Sequence, residues 1–299
     1  MAAQWGVSEA CVPAIVERGV ELCNQVSEWG HHLIFLAPSR DSDCSPRAKN
    51  IAADLVTALP ENVFCFSVKD VKSSYYLRWP KDGIQYFDGI CAIADNPAMR
   101  SLVNYLAIKN VRSAPISEGG LFVRIPTLLL YSSAFRNEKY LSSIFRGDIR
   151  AVPCPAECSY YQSLIGEREP PMTHIDFDLC LLDAPDGRRH LLVGEIYYNV
   201  FRRNLCDVFM DFGFVIYVVP QQEVFNKGLN LVVLPGGFFL IPSGCPHLQS
   251  YLSRLFGERR IKIIEIDDTF NYNGGRGGLG CMASIVTSQK ALTRESKIC

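Results

Sequence analysis

Asn230-Leu-Val-Val-Leu, a Pro235-Gly-Gly turn, Phe238-Phe-Leu-Ile241, a segment from Cys245 to Gly257, and Ile261-Lys-Ile-Ile-Glu-Ile266 decide the reading of the fold. Two short apolar runs joined by a Pro-Gly-Gly turn read as a strand pair. Leu248, Leu252, Leu255 and Phe256 recur at near-helical spacing, so the segment from Cys245 to Gly257 is expected to be a helix with one apolar face. The β-branched run after it returns as a third strand, which makes the unit strand-strand-helix-strand.

The same order recurs along the chain. A second copy runs through Gly120 to Arg124, Thr127 to Tyr131, a helix near Phe135 to Phe145, and Ile149 to Val152. A third takes in Asp176 to Asp183, the Asp186-Gly turn, Arg189 to Tyr197, a helix near Val200 to Phe212, and Phe214 to Val219. Weaker copies begin near His32 to Leu36 (helix Pro46 to Leu59, strand Val63 to Val68) and Gly89 to Ile93 (helix Pro97 to Lys109). About five such ββαβ units point to an α/β architecture built cyclically or by stacking. On the pattern alone a generic three-layer α/β domain competes with it. No Pro-, Ser- or Gly-rich linker divides the sequence, so residues 1–299 are read as a single domain with its core over about residues 30 to 290.

With 299 residues, 48% hydrophobic and 20% charged, the chain can bury a sizeable core without staples. A formal net charge of −1 gives no broad basic field for nucleic acid, so a charged partner must be recognised locally. No apolar run approaches the roughly 18 residues of a membrane span, and the first residues lack a basic stretch followed by an apolar one. No membrane association and a cytoplasmic location are expected. Twelve cysteines are many, but Cys65, Cys91 and Cys180 stand singly inside apolar runs, where a reduced thiol packs as a small hydrophobe. The pair in Cys154-Pro-Ala-Glu-Cys158 lacks a second pair or a nearby His and reads as a structural turn, so no metal and no cofactor are expected.

Four stretches can carry chemistry. Asn273-Gly-Gly-Arg-Gly-Gly-Leu-Gly-Cys281-Met282 lets the backbone approach a ligand closely and deliver the following side chain into a pocket. It lacks the Lys-Ser/Thr of a phosphate loop, and a cysteine at its end, near Arg276, can supply thiolate. In Met172-Thr-His174-Ile-Asp176, an extended backbone would place the imidazole and the carboxylate on one side. Ser117-Glu118-Gly119-Gly120 sets a carboxylate before a strand, beside glycines that leave room for a planar ligand. Arg78-Trp-Pro-Lys-Asp82 puts an aromatic and a carboxylate on a Pro-interrupted loop.

All four occur in one chain and in one order, and that combination resembles the guanidine-modifying or pentein superfamily. Its members include arginine deiminases, agmatine deiminases, dimethylargininases and amidinotransferases. Arg276-Gly-Gly-x-x-Cys281-Met is similar to the arginine deiminase C-terminal signature, Met172-x-His174-Ile-Asp176 to the His-x-Asp motif, and Glu118-Gly-Gly to the Glu-Gly-Gly-Asp strand. Arg78 to Asp82 resembles the Arg-Asp loop. Leu121 departs from the pattern, standing where the last Asp of that strand would be.

The resemblance implies a five-bladed α/β propeller of ββαβ units around a central pocket. It also implies Cys281 as nucleophile, His174 as acid/base, and Glu118, Asp82 and Asp176 as the carboxylates that hold a guanidinium, with Arg276 and Arg78 on the substrate side. The activity implied is hydrolysis at the guanidinium carbon of arginine or a close derivative through a covalent thiouronium. An amidinotransferase and a non-catalytic guanidinium-binding module are the competing readings; a deiminase of arginine within proteins is a looser one. A small guanidino substrate is the expected partner, and a homo-oligomer remains open.

Overall fold

The structure, a computed structural model, describes residues 32–34, 63–64, 80–87, 90–94, 100, 103–104, 111–114, 119–125, 127–135, 141, 150–156, 159–165, 174–210, 212–234, 238–264, 278–282 and 284–286. These residues form two compact units, one of residues 1–118, 234–236 and 265–299 and one of residues 119–233 and 237–264. Short helices α1 (Pro80–Gly83), α2 (Ser159–Ile165), α4 (Gln221–Phe225) and α6 (Leu279–Met282) accompany the longer α3 (Glu195–Met210) and α5 (Pro246–Phe256). No helix among the described residues is long and apolar enough to cross a membrane.

Small mixed sheets of three strands recur throughout. In the first unit, β1 (His32–Ile34) lies between β15 (Ser284–Val286), antiparallel, and β2 (Val63–Phe64), parallel. There too β3 (Ile84–Phe87) is antiparallel to β4 (Ile90–Ala94), which is parallel to β5 (Val111–Ala114). The second unit repeats the pattern in β6 (Phe122–Ile125), β7 (Leu128–Ser132) and β8 (Arg150–Cys154), and again in β9 (Leu179–Asp183), β10 (Arg189–Gly194) and β11 (Val215–Val219). Its last sheet has the order β12 (Val232–Leu234), β13 (Phe238–Pro242), β14 (Ile261–Ile264). A tight turn can join only antiparallel neighbours, whereas a parallel neighbour needs a crossover, so a central strand with one of each is the signature of the ββαβ unit.

Burial explains why these strands read as unbroken apolar runs. Leu179 and Leu181 of β9, with Leu191 and Val193 of β10, pack into a core shared with Tyr197, Phe201, Leu205 and Phe209, four residues apart on α3. The intervening Cys180, Leu182 and Leu192 face the opposite side and join Leu248, Tyr251 and Leu252 of α5. A sheet covered on both faces has no polar face to alternate with.

Some boundaries differ from the sequence reading. The strand expected over Arg189 to Tyr197 stops at Gly194, and the helix expected from Val200 begins at Glu195. Side chains support both helix starts reciprocally: Gln221 Oε1 accepts the Ile196 N–H in the first turn of α3 at 3.0 Å, and Glu195 Oε2 accepts the Gln221 N–H at the start of α4 at 3.1 Å. Phe135 stands outside any helix, edge-on to Phe122 and Tyr131, while Leu141 is helical as expected. Strands β3, β5 and β15 were not placed by the sequence reading. The helix expected over Pro46 to Leu59 lies outside the described residues.

Helix α5 matches its expectation and is fixed at its start by a carboxylate from α4. Glu223, only 2% exposed, accepts the backbone N–H groups of His247 at 2.7 Å and Leu248 at 2.9 Å, and lies 2.8 Å from the His247 ring nitrogen. A negative group at a helix N-terminus meets both the orphan donors and the positive end of the dipole. Glu223→Ala leaves those buried donors unanswered and is expected to cost about 1–3 kcal/mol of stability in urea unfolding.

His190, 1% exposed, shares a 2.6 Å hydrogen bond between Nδ1 and the Tyr251 hydroxyl, and Tyr251 stacks on Tyr217. Burial holds this imidazole below its usual 6.5, helped by Arg188 and opposed by Asp186. The unfolded chain therefore takes up a proton near 6.5 that the folded chain resists, so stability is lost as pH falls through that value toward the folded pKa. The melting temperature should drop as pH falls through 6.5, and His190→Gln should flatten that slope.

Candidate active site

The segment expected to be extended through His174 and Asp176 is instead a turn. His174 itself is extended, but Ile175–Phe177 forms a 3-10 helix closed by the Asp178 N–H on the Ile175 carbonyl at 3.1 Å. Strand alternation therefore does not align the imidazole with the carboxylate. A second 3-10 turn, Gly119–Leu121, packs against the first and does so instead. A methyl group on Gly120 would fall 2.6 Å from His174 Cγ and 2.9 Å from Asp176 Oδ1, so both side chains rest on the bare Cα of Gly120.

The turn is anchored by alternate residues. Ile175 and Phe177 are buried in the apolar interior, at 1% and 4% exposure, while Asp176 and Asp178 are each 3% exposed. Asp176 Oδ2 accepts from the Asn230 amide at 2.8 Å, Asp178 accepts from the Tyr161 hydroxyl, and the Asp178 carbonyl accepts the Gly194 N–H at 2.9 Å. A half-buried imidazole beside a buried carboxylate is equipped to move a proton and to receive a cationic N–H group.

In the first unit, Cys281 lies in α6, 5% exposed, with its N–H on the Gly278 carbonyl at 3.1 Å. Helix α6 packs against α1, which contains Asp82. Glu118, Arg78 and Arg276 lie outside the described residues. Leu121 is buried at 4% exposure and contributes to the interior. Asn230, the partner of Asp176, was read from sequence only as the first residue of a strand.

Cys154, Cys180, Cys245 and Cys281 are thiols rather than disulfide halves. Burial pushes the Cys154 thiol up to about 12, and burial together with the Glu223 charge does the same to Cys245. Both therefore stay protonated and serve as packing groups.

No protein-family model matches the sequence, and no curated protein matches it. Solved structures do match in fold. A DDAH from Pseudomonas aeruginosa, complexed with citrulline, superposes with a TM-score of 0.51 at 16% identity, over 85% of this chain and 98% of that one. SxtG, an amidinotransferase from Microseira wollei in the saxitoxin biosynthetic pathway, gives 0.55 at 14% identity over 88% and 95%. The product-bound N-terminal domain of ArgZ, an arginine dihydrolase from the cyanobacterial ornithine-ammonia cycle, gives 0.53 at 14% identity over 86% and 98%. The chain thus has the α/β fold of small mixed sheets found in guanidine-modifying enzymes of the pentein superfamily, as its motifs implied.

Because the His174 ring occupies the place of a side chain at residue 120, Gly120→Ala must push it aside. Overpacking of this kind costs about 1–3 kcal/mol, and the His174 ring resonances in NMR spectra should shift relative to the parent protein. Unchanged resonances and stability would contradict the packing.

Proposed function

We propose that this chain is a thiol-dependent hydrolase of guanidino compounds, of the deiminase or dimethylargininase type, acting on arginine or a close derivative. The observation that carries the reading is the His174–Asp176 pair seated on Gly120, in a fold shared with guanidine-modifying enzymes. In this reading the sheets are blades of a five-bladed propeller, closing residues 1–299 into one domain around a central pocket. The repeated antiparallel-then-parallel pairing of the strands supports it.

Guanidinium is planar, cationic and resonance-stabilised, so attack at its carbon needs a strong nucleophile and carboxylates that hold the plane. Asp82, Glu118 and Asp176 accept its N–H groups in charge-assisted bonds, while Arg276 and Arg78 bind the remainder of the substrate. The Cys281 thiolate adds to the carbon, and ammonia or an alkylamine leaves with a proton from His174. A water that gives its proton to His174 then attacks the thiouronium. The C–S bond breaks, the thiolate is regenerated, and a citrulline-like ureido product departs. The mechanism uses no metal or cofactor, and the cytoplasm is the proposed location.

The amidinotransferase among the structural neighbours favours one second reading, transfer of the amidino group from the same thiouronium to an amine. Dependence of turnover on an added acceptor amine separates the two.

Arginine, agmatine, methylated arginines and guanidino acids should be screened for ureido product. Cys281→Ser is expected to abolish turnover with folding retained, and His174→Ala to lower kcat by about 10²- to 10⁴-fold. Full activity of either variant overturns the assignment.

A further inference from the structure

We propose that Asn230 is a positioning residue that, by donating its side-chain amide to Asp176, aims the carboxylate's other oxygen at the ligand beside His174. The proposal rests on the reading of Asp176 as a guanidinium-holding group.

Three observations meet at this contact. The bond from Asn230 Nδ2 to Asp176 Oδ2 is 2.8 Å long, and both residues are nearly excluded from water, at 2% and 3% exposure. With Oδ2 engaged there, Oδ1 is the oxygen that lies against Gly120, where the His174 ring also rests. A carboxylate rotates about one bond, so fixing one oxygen fixes the other.

The backbone that carries Asn230 is itself held. Lys227, at a left-handed φ of 63°, ends the turn after α4, and its carbonyl accepts the Asn230 N–H at 3.0 Å. The Gly228 N–H returns to the Glu223 carbonyl at 2.8 Å, and Leu229 and Leu231 are buried on either side of Asn230. The left-handed region is disfavoured for a residue with a side chain, yet it is adopted here at the turn that precedes Asn230.

Chemistry also favours asparagine over a cation. A lysine or arginine could donate the same bond, but it would bring a positive charge next to a group whose proposed work is to attract one. The amide orients the carboxylate and adds no charge.

The test is a double-mutant cycle in Cys281→Ser protein, which binds without turnover, using L-arginine as the probe in calorimetry. Asn230→Ala, and separately the volume-preserving Asn230→Asp, are expected to weaken binding about 10- to 100-fold, the range for losing a hydrogen bond to a charged group. In an Asp176→Asn background, Asn230→Ala should add less than about 2-fold, because its effect passes through Asp176. A merely structural role predicts the opposite, an equal penalty in both backgrounds.

Binding within about 2-fold of the parent for both Asn230 variants, or a fully additive penalty, overturns the assignment. If the Cys281→Ser protein binds no L-arginine and the parent turns over no guanidino compound, the guanidine reading falls and takes the Asn230 role with it. Near-parent binding by the variants or a fully additive penalty, with an active parent, condemns the Asn230 role alone. Melting temperatures of each variant confirm that folded proteins are compared.

Discussion

A carboxylate taken out of water must be given donors in return, or its burial costs more than a fold can offset. The turn from His174 to Asp178 buries two of them within three residues. Both are answered from distant elements: Asp178 is met by Tyr161 from α2, and Asp176 by Asn230 from the loop before β12. The odd-numbered residues of the turn, Ile175 and Phe177, go into the apolar core, while the even-numbered ones carry the polar groups. The turn is therefore stable only when α2, the Gly119–Leu121 turn and the β12 entry are already around it. Local propensity does not specify it, and the tertiary structure does.

That dependence separates what the sequence made legible from what it did not. The ββαβ repeat was readable because it rests on local physics. Leu248, Leu252, Leu255 and Phe256 mark one face of α5 at helical spacing, and the runs around Leu179 to Leu182 and Leu191 to Val193 are long enough to call strands whether one face is buried or two. Misplaced boundaries follow from the same cause. Ile196, Tyr197 and Tyr198 resume an apolar run after Gly194-Glu195, yet they lie in a helix whose first turn has the Ile196 N–H on Gln221 Oε1, a partner 25 residues away. Strand β15 could not be expected from its own short length; its partner β1 lies at the other end of the sequence.

The candidate site shows the same division. The types and order of residues at His174, Asp176 and Gly120 were legible, because the motif names them. Their arrangement was not, because strand alternation is a rule for extended backbone and Ile175–Phe177 is a 3-10 turn. Asn230 was hidden more thoroughly, 54 residues from its partner and at the head of Asn-Leu-Val-Val-Leu, where it passed for the opening of a strand. One signal was available. A polar residue between Leu229 and Leu231 is set to be buried, and a buried amide needs a partner worth looking for.

The cysteines make a related point about what burial means. Cys154, Cys245 and Cys281 are all nearly inaccessible, so exposure does not distinguish them. Cys154 and Cys245 are surrounded by the aliphatic and aromatic side chains of the two cores, and desolvation drives both thiols away from ionisation. Cys281 follows Gly278-Leu-Gly in the sequence, and its N–H bonds to the Gly278 carbonyl. Hydrocarbon around a thiol excludes reactants as well as water, whereas glycines leave the space beside the main chain that an approaching ligand needs. Desolvation by aliphatic and aromatic neighbours is what makes Cys154 and Cys245 packing groups.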